Sequence, residues 1–165
     1  MKIFVTIGTQ EPFDRLIKAV DQIAAEHKEV EFVAQTVSSK YVVRHMKTFD
    51  FIAPGEYNKI LSDSSLIVSH AGIGTIISAL QINKPIIVLN RIAKLGEHRN
   101  EHQLATVKKM KKLNFVHTAN DENDLKNKLK LFIEDQKSLP SLHQLGKDAS
   151  PELTKSIRDF IQRNF

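Results

Sequence analysis

The chain has 165 residues, of which 41% are hydrophobic and 26% charged. That is ordinary globular usage, which argues against wholesale disorder or a fibrous repeat, and the length suits one domain rather than two. Cysteine is absent, so disulfides and thiolate metal sites are excluded, while a formal net charge of +5 favours anionic partners.

In chain order, Lys2 to Ile7 reads as a buried strand. The opening MKIFVTIGTQ loses its apolar run after Ile7 and carries no small-residue cleavage site, so it is expected to be structure and not a signal peptide. Gly8 and Thr9 then give a turn, and Pro12 suits the first turn of a helix. Phe13, Leu16, Ile17, Val20, Ile23 and Ala24 recur at the spacing that lays one apolar stripe against a sheet. Val30 to Gln35 is a second strand. Phe49 to Ala53 reads as a third, closed by Pro54 and Gly55, with a short helix over Glu56 to Asp63.

Leu66 to Ser69 is the fourth strand and runs into the glycines of SHAGIGT, which open a helix over Thr75 to Gln81. Pro85 to Leu89 is almost unbroken in its apolar character, as strands covered on both faces are. A polar loop, NRIAKLGEHRNEHQ, leads to a helix over about Gln103 to Lys112, a strand at Phe115 to Thr118 and a helix from Asp121 to Gln136. Strands alternating with helices imply an α/β fold: one Rossmann-like, doubly wound parallel sheet, whose ligands bind at the carboxyl ends of strands. The expected organisation is a binding domain over residues 1–137, a linker over 138–150 and a terminal helix over 151–165. In that helix Leu153, Ile157, Phe160 and Ile161 share a face that either packs on the sheet or docks a partner. No stretch has the length of a membrane span.

The lysines at 108, 109, 111 and 112 and at 126, 128 and 130 read as solvated helix faces. No aromatic-interleaved basic patch accompanies them, so nucleic acid is not an expected partner. Three loops should meet at the carboxyl edge: Gly8 to Gln10, Ser69 to Thr75, and Asn90 to Gln103. In the second, Gly72 and Gly74 leave backbone N–H groups at a helix start, where a pyrophosphate would fit, although tight strand-to-helix turns also need glycine on steric grounds. His70 is either a histidine tied into the edge of the core or a ligand beside that turn. Glu97, His98, Glu101, His102 and Gln103 fall within seven positions. They suit hydrogen bonding to sugar hydroxyls or a solvated helix start. A zinc site is disfavoured, because His98 and His102 have no third ligand at a matching spacing.

The run SHAGIGTIISALQINKPIIVL followed by GEHRNEHQ resembles the carboxyl-terminal, UDP-sugar-binding domain of family-28-type glycosyltransferases, of which MurG is a member. With the opening FVTIGTQEPFDRLIKAVD, the chain is similar to the small single-domain members. These are the PssE-type subunits of capsule and exopolysaccharide synthesis and the eukaryotic catalytic subunit for the second N-acetylglucosamine of N-glycan precursors. The resemblance spans about Lys2 to Gln136 and implies half of a GT-B enzyme. It implies that His70, Gly72, Gly74 and Thr75 hold the donor diphosphate, and that Glu97, His98, His102 and Gln103 face the donor sugar. Gly8 and Thr9 would form the first loop of the cleft. Relatives carry an acidic residue for the ribose where this chain has Ser78, whose hydroxyl bonds ribose more weakly than a carboxylate does.

The implied reaction is direct attack of an acceptor hydroxyl on the anomeric carbon with inversion, UDP leaving, and no metal or other cofactor besides the UDP-sugar substrate. His70, Glu97 and His98 are the candidate catalytic residues: His70 for the departing diphosphate, and either of the other two, or a residue of a partner, as general base. Acceptor and membrane contacts would come from a membrane-anchored partner subunit, the acceptor being a saccharide on a polyprenyl diphosphate. By analogy with capsular systems the donor sugar is expected to be glucose or galactose, and the location cytoplasmic, at the membrane face. A non-catalytic subunit that enhances a partner enzyme is the alternative, invited by Ser78.

Overall fold

The computed structural model describes residues 1–97, 111 and 114–142. Six parallel strands, β1 (Lys2–Thr6), β2 (Glu31–Gln35), β3 (Lys47–Phe49), β4 (Leu66–His70), β5 (Ile86–Leu89) and β6 (His117–Ala119), form one sheet in the order β3-β2-β1-β4-β5-β6. The helices described are α1 (Asp14–Glu26), α2 (Pro54–Asp63), α3 (Ile73–Gln81) and α4 (Glu122–Glu134). The expected α/β, doubly wound parallel sheet is therefore the observed one, and its order reverses between β1 and β4.

Alternation along the central strands sorts the core into two layers, as the two-residue period of a strand requires. Ile3, Val5, Leu66, Val68, Ile87 and Leu89 join one cluster with the apolar stripes of α1 and α4. Phe4, Ile67, Ile86 and Val88 join the other, with Leu61 of α2 and Ile76, Ala79 and Leu80 of α3. All of these strand residues are fully buried. Each such aliphatic or aromatic side chain contributes about 1.5–3 kcal/mol, which is why the apolar strands were readable from sequence.

Several element ends differ from the expected ones. Pro12 lies outside α1, which begins at Asp14 after Phe13 as its N-cap. The third strand is Lys47–Phe49 and not Phe49 to Ala53: Ile52 enters the core, but its N–H is taken by the Gln35 side chain at 3.2 Å and not by a strand neighbour. Pro54 does not close that strand. It occupies the first turn of α2, where its missing N–H costs nothing. The glycine turn delivers α3 earlier than expected, at Ile73 with Gly72 as N-cap. The last strand is His117–Ala119, and Asp121 caps α4 by accepting the Asp124 N–H at 2.8 Å. The helix expected over 103–112 and the terminal helix over 151–165 lie outside the described residues, apart from Lys111. Of the 138–150 stretch, Leu139 packs against the core and Ser141 accepts a bond from Asn114 Nδ2 at 2.9 Å.

One buried carboxylate ties the long β2–β3 connection to α1. Asp21, 1% exposed, accepts bonds from Tyr41 Oη at 2.9 Å, from the Arg44 N–H at 3.2 Å and from the His45 N–H at 2.8 Å. Asp14 adds Ser39 Oγ at 2.6 Å and the Lys40 N–H at 3.2 Å. Removing a buried acceptor strands its donors, so Asp21→Ala is expected to cost about 2–3 kcal/mol and Tyr41→Phe about 1 kcal/mol. Urea denaturation checks both; an Asp21→Ala loss below about 0.5 kcal/mol would mean the connection stands without the carboxylate.

Candidate functional site at the strand reversal

Because the order reverses between β1 and β4, the chains leaving their carboxyl ends diverge to opposite faces and open a crevice, where ligands of such sheets bind. His70 is the last residue of β4 and half-buried there. Its imidazole lies between two glycines. A Cβ added to Gly72 would stand 2.3 Å from His70 Nε2, and one added to Gly8 would stand 2.9 Å from His70 Cε1. Gly8 also has φ of +80°, which glycine adopts without strain. A side chain at either position would have to displace the ring, which joins the first and second predicted loops into one surface. Ser69 Oγ lies 3.4 Å from His70 Nδ1 on the interior side.

Gly74 differs. Among the described residues no heavy atom lies within 4 Å of the Cβ it would carry, so none of them demands a glycine there. It sits in the first turn of α3, whose start no side chain caps. The first amides of a helix have no carbonyl partner within it, so this end presents N–H donors and the positive end of the helix dipole. Thr75 is half-buried on the same turn, and Ser78 lies three residues after it and four after Gly74, on one helix face. Thr9 is exposed beside Gly8. Hence Gly8, Thr9, His70, Gly72, Gly74, Thr75 and Ser78 gather on the carboxyl side of β1 and β4.

Glu97 has a different setting. Its carboxylate takes a bidentate bond from Arg15, Nε to Oε1 at 2.8 Å and Nη2 to Oε2 at 3.0 Å, and Oε2 also accepts the Ile92 N–H at 2.8 Å. Arg15 reaches on to Glu122 at 3.0 Å and to the Asn90 carbonyl at 2.6 Å. Burial pulls the Arg15 guanidinium down, but its bonds to Glu97 and Glu122 more than offset this and leave it above its ordinary range. Beside it Arg91, 7% exposed, donates to four backbone carbonyls: Ile7 at 2.9 Å, Glu11 at 2.7 Å, Pro12 at 2.7 Å and Glu97 at 3.0 Å. Both guanidinium carbons lie over the Phe13 ring, at 5.3 and 4.8 Å. Sequence reasoning missed Arg15, Arg91 and Gln35, since isolated polar residues at strand and helix ends carry no periodic mark.

His98, His102 and Gln103 lie outside the described residues. Among the described residues no group of three or more His, Asp or Glu side chains is placed to hold a metal ion, and no helix is long and apolar enough to cross a membrane. A groove of about 520 Å³, lined by Leu80, Pro85, His117, Phe132, Leu139 and Leu142, opens at the amino-terminal edge of β5 and β6, opposite the crevice.

A parallel sheet whose strand order reverses between β1 and β4, with helices on both faces, defines a Rossmann-like domain. Residues 2–157 match the glycosyltransferase family 28 C-terminal domain, and the chain belongs to that family. It is similar to two proteins named UDP-N-acetylglucosamine transferase subunit ALG13. The one from Debaryomyces hansenii is 34% identical over 64 residues, which is 39% of this chain and 29% of that protein. The one from Candida albicans is 40% identical over 58 residues, 35% of this chain and 18% of that protein. The matched segments thus span under a third of either relative.

Among solved structures, an NMR solution structure of ALG13 superposes with a TM-score of 0.61 at 21% identity, covering 98% of this chain and 96% of that one. The UDP-GlcNAc 2-epimerase of Neisseria meningitidis, solved bound to UDP-GlcNAc, gives 0.62 at 15% identity, with 99% of this chain and 44% of that one covered. At such identities these likenesses concern the fold.

The two helix-start glycines are expected to respond oppositely to a methyl group. Gly74→Ala should keep the thermal stability or raise it by up to about 1 kcal/mol, since alanine is the better helix former. Gly72→Ala must displace the His70 ring, and should lower stability by about 1–3 kcal/mol and shift the His70 ring resonances in NMR spectra. Equal behaviour of the two variants would contradict the arrangement.

Proposed function

We propose that the chain is the donor-binding subunit of an inverting glycosyltransferase, taking a hexose from a UDP-sugar and passing it to a lipid-linked saccharide, as in exopolysaccharide or capsule synthesis. The observation that carries this reading is the meeting of His70, the Gly8 turn and the uncapped start of α3 at the strand reversal. Family membership supports the reaction class. The word "subunit" in the relatives' names supports a second polypeptide, which in this reading is membrane-anchored, supplies the acceptor half and draws the chain to the cytoplasmic face of the membrane.

In the proposed reaction the acceptor hydroxyl attacks the anomeric carbon, the bond to the UDP oxygen breaks, and the configuration inverts. Charge grows on the leaving diphosphate. Amide donors at Gly72 to Thr75 and the His70 imidazole bind that charge more strongly in the transition state than in the bound donor, which is what accelerates the step. Gly8 and Thr9 close the other side of the diphosphate, and Thr75 and Ser78 lie toward the ribose. By resemblance, His102 and Gln103 are given the sugar hydroxyls in this reading. Of the two candidate bases, Glu97 already has both oxygens engaged by Arg15 and the Ile92 N–H, so it accepts a proton only by giving up Arg15. In this reading the acceptor proton goes to His98 or to a residue of the partner subunit.

A second reading, a subunit that binds nucleotide sugar without turnover, is favoured by the hydroxyl of Ser78 where relatives carry an acid. Turnover by the assembled pair separates the two. Titration calorimetry with UDP and with UDP-glucose, UDP-galactose and UDP-N-acetylglucosamine is expected to give binding by the isolated chain. Gly74→Val should abolish most of it in a folded protein, because a branched side chain blocks phosphate where the protein itself leaves room. Unchanged UDP affinity in folded Gly74→Val would overturn the placement. The isolated chain should transfer sugar poorly and the co-purified pair well; robust transfer to a lipid-linked acceptor by this chain alone would contradict the subunit reading.

A further inference from the structure

The loop between β1 and α1 is held from inside by two buried side chains that no phosphate could reach. Arg91 takes the carbonyls of Ile7, Glu11 and Pro12, and Gln35 Nε2, on a residue 1% exposed, takes the carbonyl of Gly8 at 2.7 Å. In a trans peptide the C=O and the following N–H point in opposite directions. Fixing the Ile7 and Gly8 carbonyls inward therefore turns the N–H groups of Gly8 and Thr9 away from Arg91 and Gln35. Successive N–H groups around a left-handed residue such as Gly8, φ +80°, make a concavity suited to an anion. The same Gly8 lies against the His70 ring, so these amides stand beside the histidine at the crevice.

We infer that Arg91 and Gln35 are positioning residues for the diphosphate: they touch no ligand, and act by presenting the Gly8 and Thr9 amides to it. This rests on the donor-binding reading. Arg91 suits the task because a planar guanidinium has five donors in a fixed fork, and four carbonyls are taken here. A lysine ammonium has three donors on one atom and cannot reach four divergent carbonyls. Burial pulls the Arg91 guanidinium below its ordinary range, which the nearby charges of Glu97 and Glu11 partly offset, and it stays charged at neutral pH. The Glu97 carbonyl, also held by Arg91, ties the loop after β5 to the same centre.

The test compares UDP with uridine, which shares the base and ribose but has no phosphate, by NMR titration of the full chain. In Arg91→Lys the affinity for UDP should fall by about tenfold or more, the scale of one or two charge-assisted bonds, while that for uridine stays within about twofold. Gln35→Met frees the Gly8 carbonyl, together with the Ile52 N–H on the far side of the amide, and should show the same selective loss; it carries the test if Arg91→Lys does not fold. Asp21→Asn, which weakens a buried network outside the residues gathered at the crevice, should show no such selectivity. Retained UDP affinity in the variants, or an equal loss for UDP and uridine, overturns the inference and leaves these residues with a structural role only. A parent chain that binds neither overturns the donor-binding reading itself.

Discussion

The arrangement depends on a constraint of space around one imidazole. His70 ends β4 at the point where the strand order reverses, and its ring fills the space that a Cβ at position 8 or 72 would enter. The first and second loops meet through that ring. Without it, the turn after β1 and the start of α3 would be separate loop ends on diverging chains. With it, they form a single surface of backbone donors beside an imidazole.

That surface is built outward from the core. The sheet is covered on both faces by helices, so its strands are rigid and their carboxyl ends fixed. Behind the first loop lies a layer of buried polar groups: Arg91 and Gln35 on the loop carbonyls, Arg15 on Glu97, and Phe13 against both guanidiniums. Buried charge is costly unless its hydrogen bonds are made, and here Arg91 donates four. Such a layer fixes loop geometry more strictly than apolar packing, because each bond has a direction as well as a distance. Glu97 belongs to this layer, its carboxylate held by Arg15 and the Ile92 N–H.

The parts legible in the sequence are those with period or punctuation. β1, β4 and β5 stood out as apolar runs, α1 by its stripe, and the glycine turn after β4 by composition; the helix-strand alternation then implied the parallel sheet. Edge features were less legible. β3 is a three-residue strand, exposed or half-buried along its length, so the apolar residues at 51–53 drew the assignment forward by a few positions. Pro54 was read as a stop, although proline equally begins a helix. Asp21 could have been noticed, since it sits on the buried stripe of α1 between Ile17 and Ala24, where an acid needs partners. At the site, the glycines and His70 were visible, but their steric roles were not: Gly72 and Gly8 lie against the ring, whereas no described residue crowds Gly74. Arg91 and Gln35 gave no local signal, because their partners are carbonyls distant in sequence.

The central claim is that a nucleoside diphosphate binds where β1 and β4 part. Backbone amide spectra of the full chain titrated with UDP test it most directly. The largest shifts are expected at Gly8, Thr9 and Gly72 to Thr75, with the His70 ring responding at the same ligand concentration. Shifts confined to the opposite edge, around Leu80, Pro85, His117 and Leu142, with Gly8 and Gly72 to Thr75 unmoved, would contradict the account.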